Sequence, residues 1–429
     1  MPSREGQSLR VAVLARSVYP LHRFGGLERH VYDLVRCLLG RDVQVSLITP
    51  PAAANRPVDA AADAVFRHPN CTMRPVPYVT FPFANRRWTT ILDRSTAYPL
   101  FGLRAGRLAA RLVSAGDIDV VHGLGASVLG YAVANLDAGT RAPLVFNPQG
   151  LEEFGATDPS RAPLKRLAYW PLRVAVRRAA RAADRVIATD RSLVSPVITH
   201  LGVNKDVVRV IPNAIEPADC DRPDTVSRAQ ALRSELGLQP DDVLLLSVGR
   251  LEANKGFDVL IRALASLVHQ KTLPERWRWV LIGDGPMRDT LHREIVSAGL
   301  SPWVALRGRA TTEDLHGWYE AATLFVHPTL YEGSSIVTLE AMAHRRAVVA
   351  SRAGGLPDKV IPGVTGWLVP PGNEEALAAT IGKALTDAGR LQTMGLAGRA
   401  LVDKEFSWRA ATDRLLSVYR ELLAGRNSL

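Results

Sequence analysis

The segment Thr329-Leu-Tyr-Glu-Gly-Ser-Ser-Ile-Val-Thr-Leu-Glu-Ala-Met-Ala-His-Arg345 follows an apolar run at 323–327 and leads into a second apolar run. A short buried strand, a Gly/Ser turn and a helix form the βα unit from which parallel α/β sheets are built. Ser334 and Ser335 are favourable N-cap residues, so the helix should begin directly after them. The segment predicts a parallel α/β fold with a polar turn at the carboxyl end of one strand.

The same turn carries groups that suit an anionic ligand. Gly333 has no Cβ, so the backbone there can approach a ligand closely. The N–H groups behind Ser335 are unpaired and lie at the positive end of the helix dipole, which favours phosphate. Glu332 and Glu340 bracket the turn and can hold sugar hydroxyls, so the arrangement suits a sugar nucleotide. An ordinary capped helix with two solvated glutamates is the alternative.

A second loop brings positive charge. The apolar run Val243–Val248 is typical of a buried strand, and Gly249-Arg-Leu-Glu-Ala-Asn-Lys-Gly256 separates it from an amphipathic helix. Arg250 and Lys255 can clamp a diphosphate, one with a planar fork and the other with a point charge. The alternative is a pair of solvated loop cations.

Strand and helix patterns alternate through the second half of the chain. Buried-strand runs lie at 243–248, 279–282, 304–306, 323–327, 347–350 and 367–369, with helical patterns between them. This alternation predicts an open parallel sheet with helices on both faces. Ligands of such sheets bind at the carboxyl ends of the strands, where both loops lie.

The first half is less regular. Strand-like runs lie at 9–14, 43–48, 120–121, 144–146, 186–187 and 207–211. A right-handed βαβ unit should open the chain. We expect the Pro- and Ala-rich stretch at 50–74 to be irregular, and the Pro/Asp-rich stretch at 212–228 to link two domains.

Composition restricts the class of protein. The chain has 429 residues, 47% of them hydrophobic, and a net charge of +11 that comes mostly from arginine. The length predicts two or three domains. No apolar stretch approaches the roughly 18 residues of a membrane span, and the polar start indicates no signal peptide. Three cysteines without metal-ligand spacing fit a reducing cytosol. No nucleic-acid-binding motif accompanies the charge, so nucleic acid is not an expected partner.

Several motifs together resemble the family 4 retaining glycosyltransferases. They are Ser247-Val-Gly-Arg-Leu-Glu-Ala-Asn-Lys-Gly-Phe-Asp258, Leu281-Ile-Gly-Asp-Gly-Pro286, Tyr331-Glu-Gly-Ser-Ser335 closing at Glu340, Ala353-Gly-Gly-Leu-Pro357, Gly363-Val-Thr-Gly-Trp-Leu-Val369, Val210-Ile-Pro-Asn-Ala214 and Gly25-Gly-Leu-Glu28. The resemblance covers most of the chain and is strongest in the second half. It implies the GT-B fold, in which two Rossmann-like, doubly wound domains face a cleft. We place the acceptor-binding domain at 1–216, the nucleotide-sugar-binding domain at 217–404, and a helix returning to the first domain at 405–429.

The resemblance also implies roles for individual residues. The expected catalytic set is Glu332, His122, Arg250 and Lys255. The expected donor-binding set is Gly26, Arg250, Lys255, Arg309, Gly333, Ser334, Ser335, Ile336, Val337 and Glu340. Gly25 and Gln149 are expected to bind the acceptor. Many relatives carry His where Gln149 stands, and Gln can form hydrogen bonds but cannot become cationic near neutral pH, so we expect no proton-transfer role there. The expected donor is a UDP- or GDP-sugar, without a further cofactor.

We expect no metal requirement. The pair Asp117 and Asp119 has the Asp-x-Asp spacing that holds a metal in other glycosyltransferases, but it precedes a strand instead of following one. Arg250 and Lys255 would supply the positive charge. A nicotinamide dehydrogenase is disfavoured because Gly283-Asp-Gly285 lacks the third glycine of the dinucleotide fingerprint. A related-fold sugar-nucleotide epimerase or phosphorylase, and a catalytically inactive glycan-binding protein, remain alternatives.

The acceptor is expected to be a lipid-linked or cell-surface glycan, reached from the cytoplasm. A basic amphipathic pattern at 161–185 and an Arg/aromatic stretch at 81–88 are typical of a surface that binds anionic membrane. A core-facing helix with a solvated arginine side is the alternative for 161–185. We therefore expect a cytoplasmic enzyme, with peripheral attachment to the inner membrane face as an open hypothesis.

Overall fold

The computed structural model describes residues 8–22, 25–52, 60–79, 91, 93–137, 139–148, 151, 154 and 167–427. The chain divides into two compact units. The first is Met1–Pro212 with Ala411–Leu429, and the second is Asn213–Ala410. The predicted end of the first domain, at 216, lies a few residues after Pro212. The predicted end of the second domain, at 404, lies a few residues before Ala410.

The first unit contains a seven-stranded parallel sheet in the order β3-β2-β1-β4-β5-β6-β7. Its strands are β1 Arg10–Leu14, β2 Gln44–Thr49, β3 Cys71–Pro75, β4 Val120–Leu124, β5 Leu144–Asn147, β6 Arg185–Ala188 and β7 Val208–Val210. The strand order changes direction between β1 and β4, as it does in a doubly wound sheet.

Helices of the first unit bury one face against the sheet. In helix Tyr98–Ser114, Phe101, Ala105 and Ala109 recur every four residues, are almost fully buried and share a core with Phe146 of β5. The helices are Gly26–Leu39, Ala60–Phe66, Tyr98–Ser114, Leu129–Ala132, Trp170–Arg181 and Val194–Leu201, with single turns at Asp93–Ala97, Gly125–Val128, Arg191–Leu193 and Lys205–Val207. Helix Trp408–Asn427 joins this unit from Ala411 onward.

The expectation of irregular structure at 50–74 was wrong for its described part. Residues Ala60–Phe66 form a helix, and β3 Cys71–Pro75 pairs in parallel with β2. β3 is the edge strand of the sheet, and its side chains are half-buried or exposed. An edge strand in this position lacks the continuous apolar run that marks a buried strand.

The second unit contains a six-stranded parallel sheet in the order β10-β9-β8-β11-β12-β13. Its strands are β8 Val243–Val248, β9 Trp277–Ile282, β10 Val304–Gly308, β11 Leu324–His327, β12 Ala347–Ser351 and β13 Gly366–Val369. The helices are Thr225–Glu235, Phe257–His269, Arg288–Ser297, Thr312–Ala321, Ile336–Ala343, Leu356–Lys359, Glu374–Leu385 and Ala388–Leu401, with single turns at Pro217–Cys220, Ala253–Lys255 and Val402–Phe406.

Strand β8 shows why this sheet is covered on both faces. All six of its residues are buried. Leu245 packs into one hydrophobic core, whereas Leu244 and Leu246 pack into the core on the opposite face, because successive side chains of a strand point to opposite sides. β8 pairs directly with β11, and the strand order reverses between them. Ligands of doubly wound sheets bind at such a reversal, outside the carboxyl ends of the strands.

The fold class predicted from the sequence is confirmed: both sheets are parallel and doubly wound. In the described part of the chain, no helix combines the length and the apolar character needed to cross a membrane.

Candidate active site

The loops that follow β8 and β11 are bonded to each other. Asn254 accepts hydrogen bonds through its carbonyl from Leu330 N–H at 2.8 Å and from the Thr329 hydroxyl at 2.9 Å. Gly256 has φ +64°, and a Cβ there would lie 2.2 Å from the carbonyl oxygen of Pro328. Only glycine therefore fits this position without a shift of the neighbouring loop. The close approach brings Lys255 beside the residues that follow β11.

Glu332 is held by two donors on one oxygen. Lys255 Nζ and His327 Nε2 each lie 2.7 Å from Glu332 Oε2. The side chains of Lys255 and Glu332 are 16% and 12% exposed, and that of His327 is fully buried. Burial raises the pKa of Glu332, but the hydrogen bond and charge of His327 and the charge of Lys255 outweigh burial, so this pKa falls from 4.5 to about 2. Glu332 is therefore a carboxylate at neutral pH.

Helix Ile336–Ala343 begins shortly after Glu332 in the chain. Ser335 is the N-cap, and its Oγ accepts from Thr338 N–H at 3.4 Å. The first-turn N–H groups of Ile336 and Val337 precede the first intrahelical acceptors, as at every helix start. A Cβ on Gly333 would meet nothing within 4 Å. Packing against the described residues therefore does not require glycine at 333, and the anion site at this helix start stays a prediction.

The hydroxyl of Ser334 adds a further polar group to this turn. Its Oγ is buried and has no hydrogen-bond partner in the described part of the chain. A buried hydroxyl without a partner is costly. A phosphate oxygen at the helix start would be a suitable acceptor.

Glu340 lies on the same helix, half-buried. Burial raises its pKa, and the hydrogen bond from Tyr319 Oη to Glu340 Oε2, at 2.7 Å, opposes that rise. Tyr319 is fully buried, and its ring stacks on His344 with centroids 5.6 Å apart. Glu340 is thus oriented by a rigid aromatic neighbour.

The two predicted arginines have acidic partners other than Glu332. Arg250 pairs with Glu252 of its own loop and is 78% exposed. Arg309 is 87% exposed and lies 4.0 Å from Asp284. Both side chains are thus largely exposed and pair with a carboxylate.

The glycines at 283 and 285 have a structural explanation. Gly283 has φ +149°, and a Cβ there would lie 1.8 Å from Gly249 O. A Cβ on Gly285 would lie 2.5 Å from Leu251 O. The loop after β9 therefore packs backbone to backbone on the loop after β8, which fixes the segment that carries Arg250 and Lys255.

In the first unit, His122 lies inside β4 and is 2% exposed. Its Nδ1 lies 2.6 Å from Tyr419 Oη, and its Nε2 has no hydrogen-bond partner among the described residues. Burial lowers the pKa of His122 to about 3, so the imidazole is neutral at physiological pH. A neutral ring with one unused nitrogen can donate or accept one hydrogen bond from a ligand.

The glycine pair of the first unit opens its first helix. Gly25 is the N-cap of helix Gly26–Leu39, and a Cβ on Gly25 would lie 2.4 Å from Glu28 Oε2. Glu28 is buried and accepts from Ser17 Oγ at 2.8 Å. A Cβ on Gly26 would meet no described residue within 4 Å. Gln149 lies outside the described residues.

Asp119, the second aspartate of the Asp-x-Asp spacing, forms an ion pair with Arg10. Its Oδ2 accepts from Arg10 N–H at 3.0 Å and from Arg10 Nε at 3.1 Å, while Oδ1 lies 2.6 Å from Arg10 Nη2. This bidentate pair precedes β4. Asp119 therefore has a role in joining the starts of β1 and β4.

Comparison with known proteins now decides the family. Residues 24–219 match the family model described as Glycosyltransferase Family 4, and residues 242–387 match that described as Glycosyl transferases group 1. D-inositol 3-phosphate glycosyltransferase 1 of Catenulispora acidiphila is 31% identical over 442 residues, which cover 99% of each chain. The chain belongs to the family 4 glycosyltransferases.

Solved structures agree with this glycosyltransferase in fold. Sucrose-phosphate synthase from Thermosynechococcus elongatus superimposes with a TM-score of 0.72 at 23% identity, covering 97% of this chain and 100% of the other. HepE of Anabaena, solved in complex with UDP-glucose, gives 0.66 at 22% identity, covering 96% and 100%. The protein is therefore a glycosyltransferase with the GT-B fold.

Two residues that contact the candidate site, His327 and Tyr319, were not predicted from the sequence. His327 was recognised only as the end of a strand, although a histidine that closes an otherwise apolar strand is a signal of a polar contact at the strand end. Tyr319 gave no signal, because its position in helix Thr312–Ala321 is that of an ordinary core aromatic.

Proposed function

We propose that this glycosyltransferase transfers a hexose from a UDP- or GDP-sugar to a hydroxyl group, with retention of anomeric configuration and without a metal ion. The observation that supports the proposal best is the buried Lys255–Glu332 pair at the carboxyl end of β11, next to a helix start with free backbone donors. These groups combine a cation for phosphate, a carboxylate for hydroxyls and an anion site.

The diphosphate would bind at the start of helix Ile336–Ala343. Backbone N–H groups of Ser335, Ile336 and Val337 would donate to phosphate oxygens, where the helix dipole favours negative charge. Lys255, and Arg250 after it leaves Glu252, would neutralise the charge that develops as the nucleoside diphosphate departs. A complex of HepE with UDP-glucose supports a donor of this class.

The two glutamates would bind the two sugars of the donor. Glu332 is ionised, so it can accept hydrogen bonds from hydroxyls of the transferred hexose. Since Lys255 already contacts Glu332, one cation would touch both the leaving phosphate and the carboxylate that orients the hexose. Glu340, oriented by Tyr319, would accept from the ribose hydroxyls.

A retaining reaction on one face of the hexose needs no separate nucleophile, because the leaving phosphate can assist deprotonation of the acceptor hydroxyl. His122 keeps its proposed role as a donor-sugar contact through its unpartnered Nε2. Gly25 and Gln149 remain proposed acceptor contacts, and Arg309 a proposed donor contact.

The proposed acceptor is a lipid-linked or cell-surface glycan, met by a cytoplasmic enzyme at an anionic membrane. Helix Trp170–Arg181 supports this through an exposed face on which Trp170 and Val174 are 62% and 48% exposed and Arg178 is exposed. Leu167, 76% exposed, precedes this helix in the chain. Residues 161–166 and 81–88 lie outside the described part.

A release assay tests the proposal. Purified enzyme would be given UDP-, GDP- and ADP-hexoses with soluble phosphorylated and lipid-linked acceptors, with and without excess EDTA, and free nucleoside diphosphate would be measured. We expect release from a UDP- or GDP-sugar that depends on an acceptor and persists in EDTA. No release with any pair would reject the proposal, and loss in EDTA with recovery on Mg²⁺ or Mn²⁺ would reject metal independence.

A further inference from the structure

A second cluster of ligand-type side chains lies behind Glu340 in the second unit. Cys220, His316 and His344 each offer one ligand atom, and these three atoms lie within 4.8 Å of one another. Cys220 ends the turn Pro217–Cys220, His316 lies in helix Thr312–Ala321, and His344 is the C-cap of helix Ile336–Ala343. Cys220 is 5% exposed and His344 is fully buried. Three separate elements thus bring a thiol and two imidazoles together.

We propose that Cys220, His316 and His344 form a binding site for a divalent ion of the Zn²⁺ class. One sulfur and two imidazole nitrogens are the ligands that Zn²⁺ favours, whereas Mg²⁺ and Ca²⁺ prefer oxygen. Three protein ligands leave a fourth tetrahedral position for water. The site is distinct from the donor-binding residues, and the proposal does not depend on the proposed function.

The residues behind His344 support this assignment. Glu320 Oε2 lies 3.2 Å from His344 Nδ1, so this carboxylate accepts a hydrogen bond from Nδ1–H and leaves the Nε2 lone pair facing the cluster. Arg346 Nη2 donates to the other oxygen of Glu320 at 3.0 Å and fixes the carboxylate. A carboxylate behind a histidine is the usual support of a metal-binding imidazole.

The two imidazole nitrogens need to move only slightly to bind one ion. His344 Nε2 lies 2.9 Å from His316 Nδ1, which is a hydrogen bond in the metal-free form. Two nitrogens bound to one tetrahedral Zn²⁺ at about 2.0–2.1 Å lie roughly 3.3 Å apart. The imidazoles would separate by a few tenths of an ångström, and the Cys220 sulfur lies within 4.8 Å of both nitrogens. His316 would present its Nδ1 without a proton and carry the proton on Nε2.

An ion at this site would act on stability and on the surroundings of Glu340. It would join the turn Pro217–Cys220 to two helices, and Tyr319, which stacks on His344, donates to Glu340. We therefore expect metal binding to stabilise the second unit.

Cobalt titration of the full-length, metal-free protein tests the site. Co²⁺ should bind with a stoichiometry of one and give the thiolate-to-cobalt charge-transfer absorption and the intense visible bands of a tetrahedral ion, and Zn²⁺ should displace it. Saturating Zn²⁺ should raise the melting temperature of the wild type by on the order of 5 °C. No stoichiometric binding would overturn the proposal.

Matched variants locate the ion. Cys220→Ala should abolish the charge-transfer band, and Glu320→Gln should weaken binding by on the order of 10–100-fold. Cys37→Ala and Cys71→Ala remove the half-buried cysteines and should leave the band unchanged. Circular dichroism of each variant checks folding. A band that survives in Cys220→Ala, or disappears in Cys37→Ala or Cys71→Ala, would place the ion elsewhere and overturn the proposal.

Discussion

Lys255 Nζ and Glu332 Oε2 lie 2.7 Å apart, and both side chains are largely buried between the loops that follow β8 and β11. The two residues were assigned different ligand groups from the sequence, a phosphate and a hexose. Their contact makes them one unit, so a change in either should affect both the binding and the departure of the donor.

Replacing Lys255 with Ala should lower kcat strongly. It removes a cation from beside the leaving diphosphate, a loss that typically costs on the order of 3 kcal/mol in the transition state, or about 100-fold in rate. Steady-state kinetics with the best donor measures this. Arg262→Ala is the matched control, because Arg262 forms exposed pairs with Asp258 and Glu374 and should change kcat little. Lys255→Ala activity within twofold of wild type would reject the role.

Stability should depend on the ionisation of Glu332. Its pKa is lower in the folded chain than its ordinary 4.5, so the carboxylate contributes stability above pH 4.5, and this contribution is lost as pH falls from about 4.5 towards about 2. We expect Glu332→Gln to cost on the order of 3 kcal/mol at pH 6 and much less at pH 3. Urea unfolding at both pH values measures the difference.

The control for the pH dependence is Glu252→Gln, which removes the partner of exposed Arg250. Its cost should stay below about 1 kcal/mol at both pH values. An equal cost of Glu332→Gln at pH 6 and pH 3 would show that the ionised carboxylate contributes no pH-dependent stability.

Two glycines near Glu332 should respond differently to alanine. A Cβ at Gly333 meets nothing within 4 Å, so Gly333→Ala should change the unfolding free energy by less than about 0.5 kcal/mol while raising donor KM, because it fills the approach to the helix start. At Gly354, φ is +50° and a Cβ would lie 1.6 Å from Glu332 O, so Gly354→Ala should be strongly destabilising. Thermal melts and donor kinetics separate the two effects. Unchanged donor KM in Gly333→Ala would remove the proposed reason for that glycine.

Much of the fold followed from local pattern. Strand β8 was read from a continuous run of buried apolar residues, and helix Ile336–Ala343 from its Ser335 cap. β3 was not predicted because an edge strand packs only partly against the hydrophobic core and therefore lacks a continuous apolar run. The apolar pattern of the sequence therefore locates a strand that is covered on both faces, but it does not locate a half-exposed edge strand.

The candidate site was only partly readable, for a related reason. Loop residues such as Lys255 and Glu332 could be predicted from the sequence, because each is a charged residue next to a glycine. The contacts of Glu332 with His327 and of Glu340 with Tyr319 depend on how separate helices and strands pack. The same holds for the grouping of Cys220 with His316 and His344. No residue spacing in the sequence encodes those distances.

Membrane attachment should depend on the exposed face of helix Trp170–Arg181. A variant with Trp170→Ala, Val174→Ala and Arg178→Glu should lose flotation with anionic vesicles at low salt, and wild-type flotation should weaken as salt screens the charge. Arg173 and Arg177 are left unchanged because both stack on Phe154.

Val226→Ala, which removes an apolar side chain that is 57% exposed in the second unit, is the control for flotation and should behave as wild type. Wild type that stays out of the floating fraction at low salt would make the helix face an ordinary solvated surface and favour a soluble acceptor.

The central claim is hexose transfer from a nucleoside-diphosphate sugar with retention, and the anomeric configuration of the first product tests it most directly. Proton NMR of a reaction started with an α-linked donor should show an α-glycoside and equimolar nucleoside diphosphate, both strongly reduced in Lys255→Ala and Glu332→Gln. A β-glycoside, an epimerised sugar nucleotide, or full activity in both variants would contradict the account.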